Sequence, residues 1–220
     1  MEGSGTSWVA ALRILVQSRS TTMAPAVDRA IPIYIRNTFN PTFSGTRIHL
    51  QGSSEFAVKG FATVESVSLV NVEGTGMIGV PGTAQRLFGA LREAGISVVL
   101  ISQGSSEHSI CYAVPASDGA EALRATERAF YAERHQNQIE KIELVNDCCV
   151  LAAVGDGMTG HPGVAANFFG ALGKAGVNIR AIAQGSSERN ISAVIDQSEA
   201  SRALRAGHSS FYLSPQTLSI

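Results

Sequence analysis

The chain has 220 residues, of which 45% are hydrophobic and 16% charged, with a net charge of −1 and a mean hydropathy of +0.12. That is enough apolar matter for one large or two small packed domains, and it excludes a chain disordered over most of its length. The near-neutral charge leaves no electrostatic footprint for nucleic acid or an anionic membrane surface, and no apolar run approaches the about 20 residues that a membrane span needs.

Taken in chain order, residues 1–20 carry Ser and Arg, one acid and a short apolar stretch around Trp8. A transit peptide has such a composition, and so has the ragged start of a truncated chain; the second reading is preferred. The string QGSSE then stands at 51–55, and again at 103–107 and 184–188. Residues 66–72 alternate apolar and polar as a strand does. A glycine-rich loop follows, and Ala84, Leu87, Phe88 and Leu91 recur at helical spacing, with Gly95 placed to end the helix. Strands are expected at 97–102 and 109–114, around a turn at 104–106. A helix is expected over 119–133, with Leu123 and Phe130 on one side, and a strand over 141–145. The second series runs strand 149–154, helix 164–175, strands 178–183 and 190–195, helix 199–208, and a last strand from Thr217.

The two series are copies. Gln184 stands 81 residues after Gln103 (184 − 103), and the same shift carries 74–79 (GTGMIG) onto 155–160 (GDGMTG), Pro81 and Gly82 onto Pro162 and Gly163, and 88–91 (FGAL) onto 169–172 (FGAL). The chain is therefore a tandem duplication. The QGSSE at 51–55 has no glycine loop ahead of it and reads as linker. Each unit has the order β-α-β-β-α-β, so the expected fold class is α+β with two tandem ferredoxin-like units. The expected boundaries are 1–60 for an N-terminal segment and linker, 61–145 for the first unit and 146–220 for the second, with strands open to exchange between them. Phe88, Leu91, Phe169 and Leu172 are the expected core of the first helix in each unit.

Both loops match G-x-G-x-x-G between a strand and a helix, the pattern of a dinucleotide site. Three features oppose that reading. Pro81 and Pro162 stand where the helix interior would lie, and proline there costs about 3 kcal/mol; they suit the first turn of a helix that starts later. The next strands end in Gln103 and Gln184, not in an acid. The strand after each returns through a tight turn, which makes a hairpin and not a crossover. A helix start with free N–H groups also suits a small carboxylate, and a glutamine amide supplies a donor and an acceptor. Such a site holds a free amino acid. The competing reading is that the glycines serve only the turn.

The three cysteines, Cys111, Cys148 and Cys149, form no C-x-x-C pair, and the five histidines include no His-x-x-x-His pair; reduced buried thiols and no zinc site are expected. Glu107 and Glu188 read as solvated or turn-stabilising groups, not as catalysts. Asp156 replaces Thr75 and His161 replaces Val80, so the two loops differ chemically.

The paired loops and the QGSSE strand ends resemble the ACT domain, a small ligand-sensing module, in tandem. They are most similar to the regulatory region of aspartate kinases, above all the bifunctional aspartate kinase–homoserine dehydrogenase. Residues 31–41 (IPIYIRNTFNP), Gly45 and Thr46, 59–63 (KGFAT) and 182–188 (IAQGSSE) carry the resemblance, which runs from about Thr22 to Ile220. It implies an allosteric region that binds a free amino acid, with threonine expected because the lysine-sensing enzymes carry T-S-E at the strand end where glutamine stands here. The implied effector-binding set is Gln103, Gln184, Gly76, Met77, Gly79, Gly82, Gly157, Met158, Gly160 and Gly163. A homodimer and a cytoplasmic or plastid-stromal location, not a secreted one, follow as expectations.

The sequence also departs from the family. Arg19 and Ser20 stand where His-Pro is expected, and no Lys-Phe-Gly-Gly nucleotide motif occurs. The chain thus reads as the regulatory middle of a larger enzyme, with no cofactor of its own and with ATP and NADP belonging to the catalytic parts it lacks. The alternatives are an active aspartate kinase subunit in some assembled form, or a dinucleotide-binding domain.

Overall fold

The computed structural model describes residues 25–26, 28–48, 56–105 and 107–212. The expected last strand at Thr217, the QGSSE at 51–55 and residues 1–20 lie outside them. Two short strands, β1 (Ile33–Ile35) and β2 (Thr46–Ile48), pair antiparallel as a sheet of their own.

The main body is one six-stranded sheet, antiparallel throughout, in the order β4-β5-β3-β6-β8-β7. Its first half contains β3 (Gly60–Glu73), α1 (Thr83–Glu93), β4 (Leu100–Gln103), β5 (Ser109–Pro115), α2 (Gly119–Ala129) and α3 (Tyr131–His135). The second contains β6 (Lys141–Val154), α4 (Val164–Lys174), β7 (Ile179–Gln184), β8 (Asn190–Asp196) and α5 (Ala200–Tyr212). The antiparallel β4–β5 and β7–β8 hairpins are not the parallel crossover arrangement of a dinucleotide-binding sheet.

The strands expected at 141–145 and 149–154 are one continuous element, β6, and β3 begins earlier than residue 66. Both are long because each serves two cores. The second half of β3 pairs with β5 (Val67↔Pro115 to Glu73↔Ser109), and its first half pairs with the end of β6 (Gly60↔Val154 to Val64↔Val150). β6 mirrors this, pairing with β3 from Lys141 and with β8 from Cys148. Ser66 and Asp147, which the 81-residue shift superimposes, both take a left-handed conformation (φ 56° and 55°) beside the register shift in this ladder. These irregularities bend each strand from one core into the other.

Two apolar clusters lie between the sheet and the helices. In the first, Val70, Val72, Ile110, Tyr112 and Val114 pack on Leu87 and Leu91 of α1 and on Ala122 and Ala125 of α2. In the second, Cys149, Leu151, Ala153, Ile191, Ala193 and Ile195 pack on Phe168 and Leu172 of α4 and on Ala203 of α5. Each also takes residues from the other end of the duplication. Ile139, with Ile142 and Leu144 packed beside it, completes the first cluster, whereas Val58 and Phe61 complete the second. Among the expected core residues, Leu91 and Leu172 are fully buried, but Phe88 and Phe169 are half-buried and flank the clusters, their places taken by Leu87 and Phe168. On α2 the buried stripe is Ala122, Ala125 and Thr126, with Leu123 half-exposed, and the helix breaks at the buried Phe130 before α3.

The other sheet face has its own core of Val67, Leu69, Leu100, Ala113, Cys148, Val150, Ala181 and Val194. The edge strands β4 and β7 lie close together, so the sheet coils around this cluster. Burial raises the thiol pKa of all three cysteines, Cys149 to about 11, so none is poised as a thiolate.

Candidate functional site

The glycine loops are built alike. Each opens with a single 3₁₀ turn (Thr75–Met77 or Asp156–Met158) that buries the methionine side chain. The first two glycines of each loop lie under a passing chain. A Cβ on Gly74 or Gly76 would stand 2.3 Å from the Gln138 carbonyl oxygen or Cβ, and one on Gly155 would stand 2.2 Å from the Ala57 carbonyl oxygen. Gly157 is less tightly covered, at 3.0 Å from Ala57 Cα and the Phe56 carbonyl oxygen. The Gly76 amide donates to the Gln138 carbonyl at 2.8 Å. Gly76 and Gly157 therefore face packed backbone, and the side chains of Met77 and Met158 face the cores.

The later glycines face open space and bend the loop. Gly79, Gly82, Gly160 and Gly163 take φ of 68°, 87°, 67° and 89°, a region costly for any other residue. Gly82 and Gly163 cap α1 and α4 with no side-chain hydrogen bond. Pro81 and Pro162 precede these caps; they stand in the turn ahead of each helix and not within its first turn. Gly95 closes α1 as expected and Gly176 closes α4 in the same way, with Ile96 N–H bonded to the Leu91 carbonyl at 2.9 Å and Val177 N–H to that of Leu172 at 3.0 Å.

Gln103 and Gln184 end β4 and β7, across from Ile110 and Ile191. In the second half, Gln184 joins Met158, Gly160, His161, Gly163 and Glu188 in the wall of one cavity of about 330 Å³. Four of the sequence-predicted residues of that half are thus brought together, with Gly157 beneath the loop. In the first half, Gln103 and the Gly79–Gly82 bend occupy the corresponding places, with the exposed Val80 where His161 stands in the other.

Sequence reasoning missed what the acid of QGSSE does. Glu107 Oε2 accepts the Gly79 N–H at 2.7 Å, and Glu188 Oε2 accepts the Gly160 N–H at 2.5 Å. A second stitch lies beside each, Gly74 N–H to the His108 carbonyl and Gly155 N–H to the Arg189 carbonyl, both at 3.0 Å. Glu107 and Glu188 are themselves left-handed (φ 55° and 54°), a conformation uncommon for a residue other than glycine. The hairpin turn therefore clasps the glycine loop in both halves. The one available signal was spacing, because each glutamate follows its glycine by 28 residues.

The halves differ at the rim. Asp156 pairs with Arg189 at 3.3 Å, and the Thr159 hydroxyl donates to the Ser187 carbonyl at 3.0 Å. Among the described residues, no group of three or more His, Cys, Asp or Glu is placed to hold a metal, and no helix is long and apolar enough to cross a membrane.

A family model for the ACT domain matches residues 70–130 and 151–211, one match on each half. The chain belongs to the ACT-domain family. This ACT pair is a regulatory region closely related to those of aspartate kinase and homoserine dehydrogenase proteins. It is 48% identical over 204 residues to the chloroplastic bifunctional aspartokinase/homoserine dehydrogenase 1 of Zea mays, covering 90% of this chain and 22% of that protein. The chain thus spans about a fifth of the length of such relatives. Among solved structures, it resembles the ligand-free regulatory subunit of aspartate kinase from Thermus thermophilus, with 32% identity, a TM-score of 0.60, and coverage of 70% of this chain and 99% of that one. It also resembles the aspartate kinase of Clostridium acetobutylicum, with 25% identity, a TM-score of 0.78, and coverage of 96% and 50%.

Proposed function

We propose that this ACT pair is the effector-sensing region of an aspartate kinase–homoserine dehydrogenase in aspartate-family amino-acid biosynthesis, and that its effector is free threonine. The observation that carries the reading is the second-half cavity, where a strand-end glutamine, a glycine loop and a helix start converge. Its volume of about 330 Å³ has room for a small amino acid. A neutral amide meets a hydroxyl or an ammonium group, and the wall's sole carboxylate, Glu188, can match one ammonium group but not the two of lysine, so burial of a lysine tail leaves a charge unpaired. Gln103 and Gln184 are the paired readers of the two halves.

Each half is, in this proposal, one ferredoxin-like unit, with boundaries near residues 61, 145 and 146 and with the strand starts exchanged. The pair works as a homodimer in the cytoplasm or plastid stroma. Ile101 of β4 and Ile182 of β7, matched by the 81-residue shift, are exposed apolar side chains on the two edge strands, which supports self-association. Light scattering of the micromolar protein should show a species heavier than 23.1 kDa; a monomer across that range contradicts the dimer.

Titration calorimetry on the full chain tests the effector. Threonine should bind and lysine should not. Gln103→Ala and Gln184→Ala should each weaken threonine by about 1–3 kcal/mol, or about 5- to 150-fold, because ligand atoms are left unpaired. Parent-like binding by both variants, or tighter binding of lysine, defeats the assignment. With pure protein, neither aspartate phosphorylation nor homoserine oxidation should exceed the buffer blank.

A further inference from the structure

We infer that Glu188, and Glu107 in the first half, receive the ammonium group of the effector. This rests on the effector reading above and adds the residue that recognises the ligand's positive charge.

The carboxylate is already held in place. One oxygen of Glu188 is fixed on the Gly160 amide at 2.5 Å, and one oxygen of Glu107 on the Gly79 amide at 2.7 Å. The other oxygen of each has no hydrogen-bond or ion-pair partner among the described residues. A carboxylate fixed at one oxygen and open at the other presents an acceptor whose orientation is set before the ligand arrives, and charge-assisted hydrogen bonds are the strong ones.

The charge of the cavity points the same way. Its wall contains Glu188 as the sole carboxylate and neither Lys nor Arg. Asp156, the other acid at this rim, is matched by Arg189 at 3.3 Å, so Glu188 is the carboxylate left without a cation. A purely anionic ligand is repelled here. A zwitterion is not, because its ammonium meets Glu188 while its carboxylate turns to the remaining N–H groups of the loop and helix start. The Gly160 amide is not among those, being taken by the glutamate.

The clasp recurs although its surroundings have diverged. Thr75 has become Asp156 and Val80 has become His161, yet the same acid reaches the same amide at the same 28-residue separation. A fastening alone needs any acceptor; a carboxylate with one oxygen open, as Glu188 has inside its cavity, supplies charge as well.

Calorimetry on the full chain with threonine and with N-acetylthreonine tests this. Glu188→Gln and Glu107→Gln keep an oxygen for the glycine amide but remove the charge. Each should weaken threonine at its own site by about 10- to 150-fold, and N-acetylthreonine, which has no ammonium group, should bind the parent at least that much more weakly than threonine does. Threonine bound equally by parent and both variants overturns the inference alone. Tighter binding by the variants also overturns it, and assigns the glutamates as competitors of the ligand carboxylate. N-acetylthreonine bound as tightly as threonine by the parent overturns it whatever the variants do. A parent that binds no amino acid overturns the effector reading together with it.

Discussion

The two helix-side cores fill the same space with different side chains. In the first, Tyr112 of β5 is fully buried, its hydroxyl 2.6 Å from Thr126 Oγ1 on α2, and the crossing strand contributes Ile142. The 81-residue shift turns these three positions into Ala193, Gly207 and, by the exchange, Phe61. In the second core the aromatic ring therefore comes from the crossing strand. Phe61 stacks against Phe168 and Phe211 at 5.9 and 5.8 Å, and α5 makes room with a glycine, where a Cβ on Gly207 would stand 2.9 Å from the ring. A duplicated fold thus tolerates large changes at single sites when facing elements change with them. One core pins its aromatic with a hydrogen bond, whereas the other packs its aromatic against rings and a glycine.

That contrast can be tested from the largest expected effect to the smallest. Phe61→Ala should cost about 3–5 kcal/mol. Hydrogen exchange should accelerate first in α4 and α5, although Phe61 belongs to the first half in the chain; loss of protection confined to α1 and α2 would break the exchanged-strand account. Gly76→Ala should cost about 1–3 kcal/mol by overpacking, and more than Gly157→Ala, because its Cβ would meet Gln138 at 2.3 Å against 3.0 Å for the second loop. Equal losses in the two melting curves would show the loops to be packed alike. Tyr112→Phe should cost about 1 kcal/mol.

Tyr112 also gives the first core an alkaline signature. Burial raises its phenol to about 12 from an ordinary value of 10, so the fold favours the protonated form. That contribution is complete below pH 10 and is lost as pH rises towards 12. The Cys149 thiol of the second core behaves likewise between 9 and 11. Urea titrations should show Tyr112→Phe losing less stability than the parent between pH 10 and 12. Smallest of all, Arg128→Ala should leave the melting midpoint unchanged, since its pair with Glu121 at 2.9 Å is solvent-exposed.

Much of the site was legible because its parts are backbone-driven. Glycines that must bend left-handed at 79, 82, 160 and 163 leave a mark in sequence, and their recurrence at one spacing marks both loops. The strand-end glutamines were visible for the same reason. The clasp by Glu107 and Glu188 was not, because an acid in a polar turn looks like any solvated acid until the loop amide it reaches is placed beside it. Gly76 and Gly157 looked like ligand contacts, since a glycine required by a passing chain and one required by a ligand are identical in sequence.

By itself, the sequence determined the duplication, the helix starts and ends, the hairpins and the α+β class, because local periodicity and turn chemistry act over a few residues. Only the tertiary structure decided which core each long strand completes. Segments 57–64 (AVKGFATV) and 138–145 (QIEKIELV) play equivalent roles but share little beyond their closing valine. They enter opposite cores with different side chains facing in, Val58 and Phe61 in one case and Ile139 and Ile142 in the other. Burial across a sheet depends on complementary volume from distant parts of the chain, and neither segment carries that information alone.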